Sequence, residues 1–211
     1  YRKAANNDKF FDSFSGSIPC LAVFKPKQVK VIHNVEDDLI EQYRLSAEKG
    51  SAEAQYQLAR RYEDGDGLNK DIDEALKLYR KAARQGHCGA QLRLGHIYYW
   101  GEDVKQDYNE SNKWYRQAAE QGDMCAQLCL GLSYDKGLGV PQNDMEAAKW
   151  FRKSAEQGYT EAQFCLGFCY EYGCGVVQND KEAIKWYRKA AAKGHDEANI
   201  GLRRCLKKRP Q

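Results

Sequence analysis

An all-α solenoid of 36-residue helical hairpins is the fold this sequence predicts. Three observations predict it. Gly50, Gly86, Gly122, Gly158 and Gly194 stand 36 residues apart. An apolar row recurs behind each glycine: Ala54, Ala90, Ala126, Ala162 and Ala198 four residues on, then Leu58, Leu94, Leu130, Leu166 and Leu202 eight residues on. The phrase YRKAA, at Tyr1, Tyr79 and Tyr187, returns as YRLSA at Tyr43, YRQAA at Tyr115 and FRKSA at Phe151. Self-similarity at this period marks stacked supersecondary units rather than one globular core.

Each period holds two helices. The first, helix A, follows the leading glycine and adds Tyr62, Tyr98, Tyr134 and Tyr170 at the twelfth position, with Leu206 in the last copy. Apolar residues at i, i+4 and i+8 make one stripe of a helix. Helix A ends in a glycine turn, DGDG at 64–67, KGLG at 136–139 and YGCG at 172–175, with WGED at 100–103 as the odd member. Glycine supplies the positive φ with which a helix stops and reverses. Helix B starts at Asp71, Asp107, Asn143 or Asn179, with Glu74, Glu110, Glu146 and Glu182 three residues later. That is a capping-box spacing, in which the short side chain takes up free backbone N–H groups. The helix carries Ala75, Leu78, Tyr79, Ala82 and Ala83, and Trp114, Trp150 or Trp186 replaces the leucine in later copies.

Two helices of about 13 residues with short turns fill the period, and such a hairpin buries its stripe only against its neighbours. The expected solenoid spans 36–209: a flanking B-type helix at 36–49, repeats at 50–85, 86–121, 122–157 and 158–193, and a capping A-type helix at 194–209. Ahead of it, residues 1–35 read as a degenerate or insert-bearing repeat, because Tyr1 lies one period plus six before Tyr43. Within it, CLAVF and VKVIH flank KPK, and their alternating, β-branched character suits a β-hairpin or an irregular insert. The first residue is Tyr rather than Met, so removal of a leader or of an upstream region is part of the expectation. YRKAA at Tyr1 reads as the tail of an earlier helix B, as if the sequence began inside an array.

The stretches AEKGSAEAQYQLARRYEDGDGLNKDIDEALKLYRKA and AEQGYTEAQFCLGFCYEYGCGVVQNDKEAIKWYRKA closely resemble the Sel-one-like repeat, a relative of the tetratricopeptide repeat. Gly95, Gly131 and Gly167, with Ala59 in the first copy, match its small central position. The resemblance covers about residues 36 to 208. It implies a right-handed superhelix of helix pairs serving as an adaptor or scaffold in protein complexes. Family members act in membrane-protein quality control, bacterial signalling and host contact by pathogens. The partner does not transfer with the fold, since function is grafted onto such scaffolds at variable positions.

On a helical wheel the recurring Ala, Leu and Tyr of helix A share one packed arc with Gln55, Gln91, Gln127 and Gln163. Positions 3, 7, 10 and 14 after each glycine fall outside that arc, and they are the ones that differ between copies. In order they are Glu53, Gln57, Arg60 and Asp64; Gly89, Arg93, His96 and Trp100; Cys125, Cys129, Leu132 and Lys136; Glu161, Cys165, Phe168 and Tyr172. In related solenoids the A helices line the concave face. The expected site is a groove there for a segment of another protein, formed by Arg60, Arg93, His96, Trp100, Leu132, Lys136, Phe168 and Tyr172. Apolar side chains would sit near Leu132, Phe168 and Tyr172, and an acidic part near Arg60 and Arg93. The competing reading packs Leu132 and Phe168 between repeats and lets Trp100 plug a turn that lost its glycine. The repeating Arg80, Arg116, Arg152 and Arg188 read as structural, in outward or inter-repeat salt bridges.

Other classes of function find little support. Net charge is only +3 with 30% charged residues, so no strong field points toward nucleic acid or an anionic membrane. The basic tail LRRCLKKRPQ suits a capping helix end better than an RNA or lipid site. No apolar run approaches the roughly 18 to 20 residues of a membrane span. Cys125, Cys129, Cys165 and Cys169 form two i, i+4 pairs on adjacent A helices, which raises a zinc site. Their side chains would have to converge across helices about 8–10 Å apart, so half-buried free thiols are the favoured reading. No cysteine lies on the B helices of the four repeats, whereas cysteine-rich secreted relatives bridge the two helices of each repeat. A reducing, cytoplasmic compartment is therefore expected, with secretion left open. His87 and His195 share the slot after the glycine and read as structural. His96 has no carboxylate or nucleophile at catalytic spacing, and no phosphate loop or metal motif is present. The sequence thus favours a protein-binding adaptor without cofactor or small-molecule substrate, over an enzyme or small-ligand binder in the same groove.

Overall fold

The computed structural model describes residues 33–101 and 103–207. Among them are ten helices and no strand. They run α1 (His33–Glu48), α2 (Ala52–Asp64), α3 (Ile72–Arg84), α4 (Cys88–Trp100), α5 (Tyr108–Glu120), α6 (Met124–Lys136), α7 (Asp144–Glu156), α8 (Thr160–Tyr172), α9 (Asp180–Ala191) and α10 (Asp196–Lys207). The even-numbered helices are the A type. Helices α2, α4, α6 and α8 pack on the B helix that follows them, and α4, α6, α8 and α10 on the B helix before them, which gives the solenoid. Helix α1 begins at His33, ahead of its expected start at 36, and takes up the last residues of the segment read as an insert. The hairpin or insert expected at 8–34 otherwise lies outside the described residues.

The helix boundaries follow from their caps. Side chains of Asp71, Asp107 and Asn143 accept from the backbone N–H groups of Glu74, Glu110 and Glu146, and Asn179 accepts from both Lys181 and Glu182. The glutamates do not complete a reciprocal box. Each accepts instead from the lysine three residues on, as in Lys77–Glu74 and Lys113–Glu110. Four of the five A helices are capped by side chains, by Ser51 and Asp123 and by the ring Nδ1 of His87 and His195, while Tyr159 ahead of α8 makes no side-chain cap bond. Those two imidazoles also stack, His87 on Tyr56 at 4.5 Å and His195 on Phe164 at 4.6 Å. Gly65, Gly101, Gly137 and Gly173 close helices α2, α4, α6 and α8 in the left-handed conformation. The turn after α4 therefore keeps its stop glycine. What it lacks is a second one, since Asp103 stands where Gly67, Gly139 and Gly175 also have positive φ.

Within a hairpin the contact is a ring laid on bare backbone. A Cβ on Gly95 would lie 2.4 Å from the Tyr115 ring, one on Gly131 2.6 Å from Phe151, and one on Gly167 2.7 Å from Tyr187. The four rings Tyr79, Tyr115, Phe151 and Tyr187 are fully buried. Between hairpins, polar side chains repeat as ladders. Gln55, Gln91, Gln127 and Gln163 donate from Nε2 to the backbone carbonyls of Ala47, Ala83, Ala119 and Ala155 in the preceding B helix. The amide oxygens of Gln55, Gln91 and Gln127 accept from Gln85, Gln121 and Gln157 at 2.6–2.8 Å. The repeating arginines tie hairpins together as expected, but to a phenol rather than a carboxylate. Arg80, Arg116 and Arg152 donate to the hydroxyls of Tyr98, Tyr134 and Tyr170 and lie 5.7–6.0 Å from the ring centres.

The glutamine ladder stops at its last rung, where Lys193 replaces glutamine and Gln163 Oε1 is buried without a hydrogen-bond partner. Lys193 donates instead to the Gly158 carbonyl. In the preceding rung Gln157 makes both contacts, to Gln127 Oε1 and to the Gly122 carbonyl. Lys193→Gln should restore the missing bond while keeping the existing one, and raise stability by about 0.5–1.5 kcal/mol. Urea unfolding midpoints of the two proteins measure this, and an unchanged or lowered midpoint contradicts the account.

Candidate functional site

The residues that could meet a partner lie on the A helices, and burial divides them. Helices α4, α6 and α8 are apolar on almost every side, so they are the walled-in layer of the solenoid. Helix α8 buries nine of its thirteen residues. Adjacent A helices also touch each other, α4 with α6 and α8 with α10, and this closes much of the surface expected to be open.

Of the eight expected lining residues, His96 and Phe168 are 4% and 5% exposed, which places them beneath the surface. The imidazole of His96 reaches across to the next A helix, with Nε2 3.8 Å from Cys129 Sγ, and meets the Tyr115 ring edge-on at 5.5 Å. Phe168 packs against Tyr172 with ring centres 4.5 Å apart. Arg93 is half-buried and paired with Glu63 through Nε and Nη2. Arg60 and Lys136 are exposed, and Trp100 and Leu132 are half-buried. Trp100 rests edge-on against Tyr99 at 5.0 Å, and Tyr172 is 43% exposed. The eight therefore do not form one open surface. A wheel drawn for a single helix leaves out the cover supplied by the neighbouring A helix.

The structure adds two carboxylates, Glu63 half-buried and Glu171 buried, that the pattern of exposed positions did not mark. Glu63 accepts from the Tyr79 hydroxyl at 2.7 Å and from Arg93 of the next A helix. Glu171, fully buried, accepts from the Tyr187 hydroxyl at 2.9 Å and from Arg204 Nε and Nη2 at 2.5 and 2.6 Å. A sequence signal exists for both: a glutamate near the end of helix A with a tyrosine sixteen residues on. The two middle repeats lack it, having Tyr99 with Tyr115 and Asp135 with Phe151.

Cys129 and Cys165 are buried free thiols, and burial pushes both upward, Cys129 to about 12. Cys169 is buried and free as well, while Cys125 is disulfide-bonded and so differs from the free thiol expected of it. Among the described residues no group of three or more His, Cys, Asp and Glu side chains is placed to hold a metal ion. Among them, too, no helix is long and apolar enough to cross a membrane. Burial, helped by the charge of Arg93, lowers His96 to about 4, so the imidazole is neutral near pH 7.

Asp135 is displaced the other way, from 3.8 to about 6, by burial first and then by the charge of Asp144. Between those two values the folded chain holds the proton that the unfolded chain releases. Asp135 thus favours folding most below pH 3.8 and loses that contribution as pH rises through about 6. Asp135→Asn should raise stability at pH 7.5 by up to about 3 kcal/mol, the free-energy equivalent of that displacement, with the gain gone at acid pH. Denaturant titrations of both proteins across this range test it; a gain that does not depend on pH would contradict the assignment.

Comparison with known proteins agrees with this architecture. A family model described as Sel1 repeat matches residues 52–87, 89–123, 125–159 and 160–195. A protective antigen present in uropathogenic Escherichia coli strains and displaying an SLR fold is 41% identical over 75% of this chain, with a TM-score of 0.73. A Sel1 repeat protein from Oxalobacter formigenes is 35% identical over 76% of this chain, with a TM-score of 0.69. The chain spans 34% of the first of these structures and 66% of the second. No curated protein matches the chain. Four matched repeats, covering more than half of the sequence and coinciding with the four hairpins α2–α3 to α8–α9, show that this chain belongs to the Sel1 repeat family.

Proposed function

We propose that the chain is an interaction scaffold holding a segment of another protein on its A-helix surface. Sel1 repeat proteins generally mediate protein–protein interactions. The surface set is Arg60, Trp100, Leu132, Lys136 and Tyr172, with His96 and Phe168 as its buried support and Arg93 held by Glu63. One observation carries the reading. Helix α8 buries nearly everything it has, yet it leaves Tyr172 43% exposed, and α4 and α6 keep Trp100 and Leu132 part-exposed on the same helix layer. Aromatic and apolar side chains at a rim with Arg and Lys are the residue types that anchor protein interfaces. The partner segment offers apolar side chains to Trp100, Leu132 and Tyr172, and carboxylates to Arg60 and Lys136.

The test is a pair of proteins, unmodified and Leu132→Glu with Tyr172→Ala, both confirmed as folded by circular dichroism and melting temperature. A protein captured by the unmodified chain is produced separately and its affinity measured against each. Loss of an anchor worth about 2 kcal/mol weakens binding roughly 30-fold. Equal affinity for both would remove this surface from the proposal.

A further inference from the structure

Helix α10 carries an open cleft of about 510 Å³ lined by Ile200, Arg203, Arg204 and Lys207. The repeat register explains what this place is. Ile200, Arg203 and Lys207 are the sixth, ninth and thirteenth residues after Gly194. In each of the four hairpins at least one of these positions contacts the B helix of the same hairpin. At the sixth, Tyr56 and Phe164 pack on the Tyr79 and Tyr187 rings at 5.9 and 5.8 Å. At the ninth, Gly95, Gly131 and Gly167 receive the ring. At the thirteenth, Glu63 and Glu171 accept from the tyrosine hydroxyl, and Tyr99 packs on Tyr108 at 5.3 Å. The cleft is therefore a seat for a helix.

Its chemistry is changed from that of the other four seats. Arg203 stands where the others have glycine or alanine, which blocks an aromatic ring from lying on the backbone there. Lys207 stands where two of the others have glutamate. Both are exposed, and Ile200 is 58% exposed. Arg204 faces the previous hairpin and is neutralised by Glu171, so the charge offered to a ligand at the seat is that of Arg203 and Lys207. We propose that this seat takes an amphipathic helix of a partner protein that is acidic where the chain's own B helices carry an aromatic ring. Its carboxylates meet Arg203 and Lys207, and an apolar side chain covers Ile200. Charge complementarity of this kind selects an acidic partner and makes its binding sensitive to salt. Arg204 lies over the Tyr172 ring at 5.5 Å, so the seat borders the surface proposed above, but the two tests change different residues and either proposal can fail alone.

The probe is a stapled, fluorescently labelled peptide of the α7 sequence, Asp144–Glu156, carrying Phe151→Glu. In the B-helix register this sets the carboxylate introduced at position 151 of the peptide against Arg203, and Asp144 against Lys207. A second peptide carries Phe151→Lys with Asp144→Lys. Fluorescence anisotropy with the full 211-residue chain should show binding of the acidic peptide and at least tenfold weaker binding of the basic one. Arg203→Glu with Lys207→Glu should invert that preference at unchanged melting temperature, while Lys77→Glu on a distant B helix leaves it intact. Absence of acidic-peptide binding, or binding that survives the double reversal, overturns the proposal. Salt-sensitive self-association abolished by the same reversal would assign the seat to a second copy of this chain and overturn the partner assignment.

Discussion

An aromatic ring of the B helix set against bare glycine backbone of the A helix fixes the geometry of three of the four described hairpins, and Ala59 holds the same place in the first. Only glycine at 95, 131 and 167 lets the B helix come that close. The close approach then buries Tyr79, Tyr115, Phe151 and Tyr187 completely. Such burial supplies most of the apolar contact that a two-helix unit can make internally, and the rest must come from the next unit. The glutamine and arginine–tyrosine ladders depend on that spacing, since each rung needs two hairpins at a fixed distance and register. A side chain at the ring's seat would push the helices of that hairpin apart and lengthen the rungs to its adjoining hairpins.

The polar interior is uneven along the array. Glu63 and Glu171 are each held by a tyrosine and an arginine from different helices, which offsets the cost of taking a carboxylate out of water. The middle hairpins have no such arrangement. Phe151 has no hydroxyl to give Asp135, and cysteines stand at 129 and 165 where the second hairpin has Arg93. The central groups respond by staying uncharged or by losing charge readily: thiols pushed up, His96 pushed down and Asp135 pushed up. Burial is the first cause in each case, so these displacements report missing partners rather than a reactive site.

The sequence was most readable where one residue type has one local task. Stop glycines, cap residues and the Ala–Leu–Tyr stripe located the helices to within a few residues, because caps and periodicity act inside a single element. Gln55, Gln91, Gln127 and Gln163 were legible as packed, though not as a ladder. Reading failed where a second element decides the outcome. His96 and Phe168 look outward on their own helices and are covered by neighbours. Arg80, Arg116 and Arg152 found tyrosine hydroxyls eighteen residues away where a carboxylate was expected. The turn after Trp100 reads correctly as short of a glycine, and the structure shows which one: Gly101 still closes the helix and the missing glycine is the one at 103.

The glutamine ladder also bears on how many hairpins such a chain can have. Each rung joins side chains 30 residues apart and reaches only the adjoining unit. The interactions therefore carry no measure of total length, much as a brick course does not record the height of its wall. Adding or deleting one whole 36-residue unit would leave the remaining rungs in register, so array length can change in a single genetic step without redesign of the interior. At α10 the place of glycine or alanine is taken by Arg203, so the ring-on-backbone contact of the other hairpins is not repeated at that position.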